Sequence, residues 1–215
     1  MTLRLLITEI LMVPTHALEG LSVRHGFARP LYQKMSSVYQ LGRPFFYFGE
    51  DYFKKAVNPG DRVLELGSGT GYLSRRLSRR AGMMMGLELE KPMLKKASRN
   101  GGRVTYVVGD MTRVPFRDGG FDLCVSLGAI HCVDPKDFFR EAARVLRPGG
   151  KAMVLSETGI IPRYVPRATR EAIRRGIEES RMKLIEEIEI GRLYTIFVSI
   201  KGHRASSYAK ASEDR

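Results

Sequence analysis

The amino-acid sequence predicts an α/β protein built on a doubly wound sheet of about seven strands, mostly parallel, with helices on both faces. Three observations predict it. Short apolar runs alternate with amphipathic segments between residues 61 and 157. Each run is nearly continuous in apolar residues, as strands are when both sheet faces are covered. The last two runs are separated only by Gly191 and Arg192. So tight a link forces an antiparallel C-terminal strand pair, since a parallel pair needs a crossover of about a dozen residues or more.

The elements follow in order. Residues 1–55 read as a helical, aromatic-rich N-terminal cap or lid, with "FARPLYQKMSSVYQLGRPFFYFGEDYFKKAV" at its end. Leu3, Leu6, Ile7, Ile10 and Leu11 share one helical face there. Glu9 interrupts the run and no small-x-small cleavage site follows, so a secretory signal is not expected. The run is too short to span a bilayer. A packed helix is preferred over a membrane-surface one. The core is expected over 56–202. Its strands are "DRVLELG", "MMMGLELE", "RVTYVVGD", "FDLCVSLGAI" and "KAMVLSE", then "MKLIEEIEIG" and "LYTIFVSIKG". Its helices are "YLSRRLSRRA", "KPMLKKASRN", "PKDFFREAARVLRPGG" with Gly at its end, and "PRATREAIRRGIEES". A polar tail occupies 203–215.

Composition narrows the class. Hydrophobic content of 43% and charged content of 27% are ordinary for a soluble globular domain. Two cysteines, Cys124 and Cys132, make no disulfide framework, and their spacing is wrong for a zinc knuckle. A reduced, cytoplasmic setting without a bound metal is expected. Cys132 is read as a small buried thiol. The net charge of +13 permits an acidic partner such as nucleic acid, anionic lipid or a phosphorylated metabolite; a solvated basic surface is equally compatible. Asn58, Asn100, Gln33 and Gln40 are the only side-chain amides, a hint of a thermophile. A homodimer is allowed.

The turn "VLELGSGTGY" closes the first strand. Gly67, Gly69 and Gly71 let the backbone take positive φ and let a ligand approach closely. The following helix points its N-terminal amides toward that ligand. A dinucleotide turn reads G-x-G-x-x-G with an acid about 20 residues on. Here the spacing is G-x-G-x-G, and Glu88 ends the second strand, where a carboxylate accepts both hydroxyls of a ribose. On the turn alone, both cofactor classes stay open. Asp110 ends the third strand, where it can accept from an exocyclic adenine amine beside the Met111 amide. Asp110, the antiparallel end of the sheet and the expectation of no second catalytic domain then choose between the classes.

With these residues, the chain resembles the class I S-adenosylmethionine-dependent methyltransferases, which carry a Rossmann-like sheet. Within them it is similar to the small-molecule, methyltransferase type 11 group that includes quinone-biosynthesis enzymes. The resemblance spans residues 45–200 and rests on "VLELGSGTG", "GLELEKPMLKKA", "GDMTRVPF", "FDLCVSLGAIHCVDP" and "REAARVLRPGGKAMV" in that order. It implies that S-adenosyl-L-methionine is the cofactor. Glu65 and the Gly67–Gly71 backbone, with Ser68 and Tyr72, would meet its methionine half. Ser126 and Leu127 would offer backbone carbonyls to the same amine. Glu88 would hold the ribose, with Met93 in the helix beyond. Leu89 and Met111 would flank the adenine read by Asp110; core packing is the plain alternative for both.

Methyl transfer from a sulfonium is an in-line displacement, so alignment and water exclusion come first. A base is needed only if the acceptor loses a proton. His131, in "AIHCVDP", is the candidate, as a base or as a shaper of the pocket, and no carboxylate of the motif segments is evidently placed to orient its ring. Asp134 is expected to start a helix before Pro135. "SLGAIH" stands where base-amine methyltransferases carry Asn/Asp-Pro-Pro-aromatic, which argues against amino methylation of nucleic-acid bases. A lipid or quinone precursor, or an anionic metabolite, is the leading acceptor class. RNA or protein methylation, or a non-catalytic cofactor-binding module acting through its basic surface, is the alternative. Tyr32 or Tyr39 of the cap would reach the cofactor carboxylate. Arg163, Arg167, Arg170 and Arg174, at steps of four, three and four, share a helical face that suits an anion or simply faces solvent.

Overall fold

A computed structural model of the chain describes residues 49–158, 169–191 and 194–202. Tyr32, Tyr39, Arg163, Arg167, the cap up to residue 48 and the tail from 203 lie outside the described residues.

The strands are β1 (Arg62–Leu66), β2 (Met83–Glu88), β3 (Thr105–Val108), β4 (Phe121–Leu127), β5 (Leu146–Glu157), β6 (Met182–Ile190) and β7 (Tyr194–Lys201). They form one sheet of order β3-β2-β1-β4-β5-β7-β6. β1 to β5 pair in parallel. β7 inserts antiparallel between β5 and β6, so the expected antiparallel pair extends the sheet at one edge. Strand order reverses between β1 and β4, and a doubly wound sheet opens a ligand crevice there, at the carboxyl ends of those strands.

Helices α1 (Glu50–Ala56) and α2 (Tyr72–Leu77) cover one face of the sheet; α4 (Pro135–Val145) and α5 (Arg170–Glu179) cover the other, and α3 (Lys91–Arg99) flanks β2 and β3. The pleat of β1 divides the two cores. Val63 joins Phe53, Leu73 and Leu77, whereas Leu64 and Leu66 join Phe138, Phe139, Ile173 and Ile177. Phe53 is fully buried, so α1 packs into the core and runs across the boundary expected at residue 55. Asp134 caps α4 as expected: its side chain accepts from the Lys136 amide, and Pro135 fills the first helical turn.

Two elements differ from the sequence reading. α2 ends at Leu77, only six residues long, and is too short to carry much of a helix dipole. The helix expected to run through "RPGG" stops at Val145. Leu146 already pairs with Phe121, and the register then jumps to Leu123↔Lys151, so "RPGG" is taken up by a bulge in β5.

Arg144 ties the loop before β4 to α4. Its guanidinium donates to the Val114 and Phe116 carbonyls at 2.7 and 2.8 Å, to Asp118 at 2.8 Å and to the buried Glu141. Glu141 in turn accepts the Val114 amide at 2.7 Å. Arg144→Ala removes the charged partner of Glu141 and is expected to cost about 1.5–3 kcal/mol of stability. A urea titration checks it; a change within error would mean the loop holds without the clamp.

Candidate active site

The glycine turn is built by closing its own amides inward. The Gly67 and Ser68 amides both donate to the Leu87 carbonyl at 2.9 Å, and the Gly71 amide donates to Ser68 O at 2.8 Å. The Gly69 amide donates to Oε2 of Glu88 at 2.8 Å. Gly67 runs at φ 76°, and a Cβ there would stand 2.4 Å from Cβ of Ala129. The segment after β4 therefore rests directly on the turn. At Gly69, by contrast, φ is 54° and a Cβ would meet nothing within 4 Å. Among the described residues, that side of the turn is open.

Glu88 and Glu65 adjoin the turn, and Asp110 follows the end of β3. Glu88, at the end of β2, accepts from Gly69 with one oxygen and from the Glu90 amide, at 3.0 Å, with the other. Burial pushes its pKa up more than these backbone bonds pull it down. Glu65, at 2% exposure, lies beneath α2, and its carboxylate accepts from the Ser74 hydroxyl. Burial pushes its pKa up to about 8, with repulsion from Glu88 adding to the shift. Asp110 is exposed and accepts twice from Thr112, from its amide and its hydroxyl, each at 2.8 Å.

The remaining predicted residues sort by side-chain direction. Leu89 is 44% exposed beside Glu88, which removes the core-packing reading for it. Met111 is half-buried, with its Cε 3.6 Å from the Cβ position of Gly67. Met93 is buried in the core and turned away from solvent. Ser126 is fully buried at the end of β4, and Leu127 beside it is half-buried. Tyr72 departs from its expected place. Its hydroxyl donates to Glu50 at 2.6 Å and the Arg76 guanidinium stacks 3.7 Å above its ring, so α1 claims the side chain and only its backbone adjoins the turn. Cys132 is exposed, against the buried thiol expected; its 3-10 turn, Ile130–Cys132, turns Ile130 and His131 inward instead.

Two of the four row arginines, Arg170 and Arg174, are engaged within the protein. Arg174 makes a bidentate pair with Glu187 of β6 at 2.6 and 2.8 Å, and Arg170 bonds Glu189 at 2.6 Å. Neither is an open anion receptor.

His131 is 4% exposed and has the carboxylate that the motif segments lack: its Nδ1 lies 3.4 Å from Oε2 of Glu157, at the end of β5. The sequence carried a signal for Glu157. It closes an apolar strand with an acid, as Glu65, Glu88 and Asp110 do for the first three strands.

The residues fit S-adenosylmethionine by their chemistry. Four turn amides are already satisfied, so the turn is no phosphate cradle. The groups it leaves are acceptors and carboxylates, which suit an ammonium and ribose hydroxyls. Among the described residues, the buried hydroxyls of Ser68, Thr70 and Ser126 have no hydrogen-bond partner, leaving polar capacity at the turn and at the end of β4.

Comparisons with known proteins agree with this. Residues 64–154 match a methyltransferase-domain family. A ubiquinone/menaquinone biosynthesis C-methyltransferase of Ruegeria sp. is 37% identical over 109 residues, covering 46% of this chain and 44% of that protein. A demethylmenaquinone methyltransferase of Mycolicibacterium paratuberculosis is 35% identical over 124 residues, covering 54% of this chain and 53% of that protein. The chain thus spans about half the length of these curated relatives. A methyltransferase solved with the Haloferax volcanii Trm112 activator superposes with a TM-score of 0.71 at 18% identity, over 80% of this chain and 98% of that one. Geranyl diphosphate C-methyltransferase of Streptomyces coelicolor superposes with a TM-score of 0.63 at 15% identity, over 71% and 78%. By its sheet order, its glycine turn and the methyltransferase domain matched over residues 64–154, the core of this chain is similar to the class I S-adenosylmethionine-dependent methyltransferases.

Proposed function

We propose that the protein transfers a methyl group from S-adenosylmethionine to a small, partly apolar acceptor of the quinone- or lipid-precursor kind. One observation carries the cofactor: the amides of the glycine turn are taken internally while Glu65 and Glu88 flank it. A pyrophosphate would meet carboxylates there, whereas an ammonium relieves their mutual repulsion. The acceptor class rests on the quinone methyltransferases among the relatives.

S-adenosylmethionine supplies an activated methyl group with a neutral leaving group. The chain's own residues orient and enclose. Glu88 has lone pairs left for ribose hydroxyls after accepting from Gly69 and Glu90, and in doing so it couples the ribose to the shape of the turn. Leu89 gains a partner for its exposed side chain. Ser126 and Leu127 close the crevice on the β4 side, and His131 stands one turn beyond them. Tyr32, Tyr39 and the cap complete the acceptor pocket in this reading. A cytoplasmic setting fits Cys124 and Cys132, which form no disulfide among the described residues. Among the described residues, no helix is long and apolar enough to cross a membrane.

Titration calorimetry tests the reading. S-adenosylmethionine is expected to bind in the micromolar range, about −8 kcal/mol, with no measurable NADH binding. Glu88→Ala should weaken the cofactor by about 1.5–3 kcal/mol, and Asp110→Ala by less, because a backbone amide also reads the adenine. Preference for NADH, or unchanged affinity in both variants, sinks the assignment. A methyl-transfer assay over a metabolite panel then names the acceptor.

A second reading, RNA binding, is favoured by one observation. Among the described residues, Lys54, Arg75, Arg76, Arg79, Arg80 and Arg103 line a groove of about 800 Å³ with one acid, Glu50. Steep salt-dependent RNA binding without turnover of any small molecule would favour it.

A further inference from the structure

Glu157 has no part in the glycine turn, yet three observations place it in the site. It is a carboxylate only 9% exposed, at the carboxyl end of β5. Its Oε2 stands 3.4 Å from Nδ1 of His131, within ion-pair reach and looser than a normal hydrogen bond. Its Oε1 lies 3.6 Å from where a Cβ would stand at Gly128, the residue that turns the chain out of β4. That same segment brings Ala129 against Gly67. His131 is therefore carried by the piece of chain that touches the glycine turn, and Glu157, from β5, abuts that piece at Gly128.

From this geometry we infer that Glu157 is the positioning residue for His131, holding the imidazole as its Nδ1–H tautomer and leaving Nε2 as the basic nitrogen for the methyl acceptor. The inference rests on the proposed methyl transfer for its purpose, but its core is a statement about one proton on one ring. A neutral imidazole in water prefers the proton on Nε2. A carboxylate facing Nδ1 reverses that preference and also stabilises the imidazolium. For an acceptor that must lose a proton, the O–H bond breaks, the oxygen keeps the electron pair, and the proton forms an N–H bond at Nε2. Glu157 balances the charge that appears on the ring, and the proton leaves to water when the product leaves. The acceptor's oxygen, or the ring carbon it activates, is then the nucleophile.

The test begins without substrate. Long-range proton–nitrogen NMR of the full chain reads the His131 tautomer directly. The expected wild-type result is a protonated Nδ1 and a bare Nε2. Glu157→Leu should shift the ring toward the Nε2–H form. Glu157→Gln, whose amide oxygen still accepts, should keep the wild-type tautomer. An Nε2–H ring in the wild-type protein overturns the inference, even if the leucine variant does not fold. So does a tautomer unchanged in a folded Glu157→Leu.

The kinetic arm uses dithionite-reduced 1,4-naphthoquinone as acceptor. Glu157→Gln should lower kcat by about tenfold to a thousandfold, since the imidazolium loses its counter-charge. The KM for acceptor and the affinity for S-adenosylmethionine should stay within about twofold of wild type. Glu157→Asp should recover part of the rate. A loss confined to KM would make Glu157 a packing residue and overturn the role. If wild-type protein turns over no acceptor while the tautomer results stand, the acceptor reading fails and the positioning of His131 does not.

Discussion

At pH 9 the Glu65→Gln variant is expected to be more stable than the natural protein by about 2–4 kcal/mol, and at pH 5 the two should be nearly equal. The cause is the burial of Glu65 under α2, which pushes its pKa from near 4.5 up to about 8. The unfolded chain releases this proton near the ordinary value. Between those limits the folded state binds the extra proton, so stability falls as pH rises, by about 1.4 kcal/mol per unit at the steepest. Below about 4.5 the full stability is present, and above about 8 the loss is complete. Glutamine keeps the shape and can still accept the hydrogen bond from Ser74, but carries no charge to desolvate. Its amide NH2 needs an acceptor of its own, which takes back part of the gain. Denaturant titrations at three pH values separate the curves. Parallel curves would mean that Glu65 stays ionised or reaches water.

The second large effect separates two glycines of one turn. Gly67→Ala is expected to destabilise the fold by about 2–4 kcal/mol. The positive φ strains any Cβ, and this one would also collide with Ala129. On a chain of this size the thermal midpoint should fall by roughly 5–15 °C. Cofactor affinity and turnover should fall with it, because the displaced segment carries Ser126 and Leu127 at one end and His131 at the other. Gly69→Ala should behave differently. Among the described residues it meets no atom within 4 Å, so only backbone strain of about 1 kcal/mol remains. Its methyl group would stand on the open side of the turn, and S-adenosylmethionine affinity should drop by tenfold or more, about 1.4 kcal/mol. Wild-type affinity in a folded Gly69→Ala would show that the ligand does not lie against that side. A small thermal shift in Gly67→Ala would mean that the loop after β4 yields easily.

The parallel sheet, the antiparallel C-terminal pair and the place of the glycine turn were determined by the sequence itself. These depend on local patterns: apolar runs of strand length, amphipathic segments between them, and a link of a few residues between "MKLIEEIEIG" and "LYTIFVSIKG" that no parallel crossover can make. The acids closing successive strands were legible for the same reason, since the carboxyl end of a strand is a sequence position. What each side chain does there was decided only by the tertiary structure. Glu65 and Glu88 look alike in sequence, yet the pleat turns one under α2 to Ser74 and leaves the other to brace Gly69. Tyr72 sits in the motif, but Glu50 on α1 takes its hydroxyl. Arg170 and Arg174 form a row on paper, and β6 supplies the carboxylates that engage them. His131 lies in a motif segment and Glu157 beyond the last of them, and only the pairing of β4 with β5 brings the ends of the two strands, and with them these side chains, together. Periodicity reports which face of an element is apolar; it carries no information on which distant element will stand opposite a polar group, and that pairing is what sets the partners of Glu65, Tyr72, Arg174 and His131.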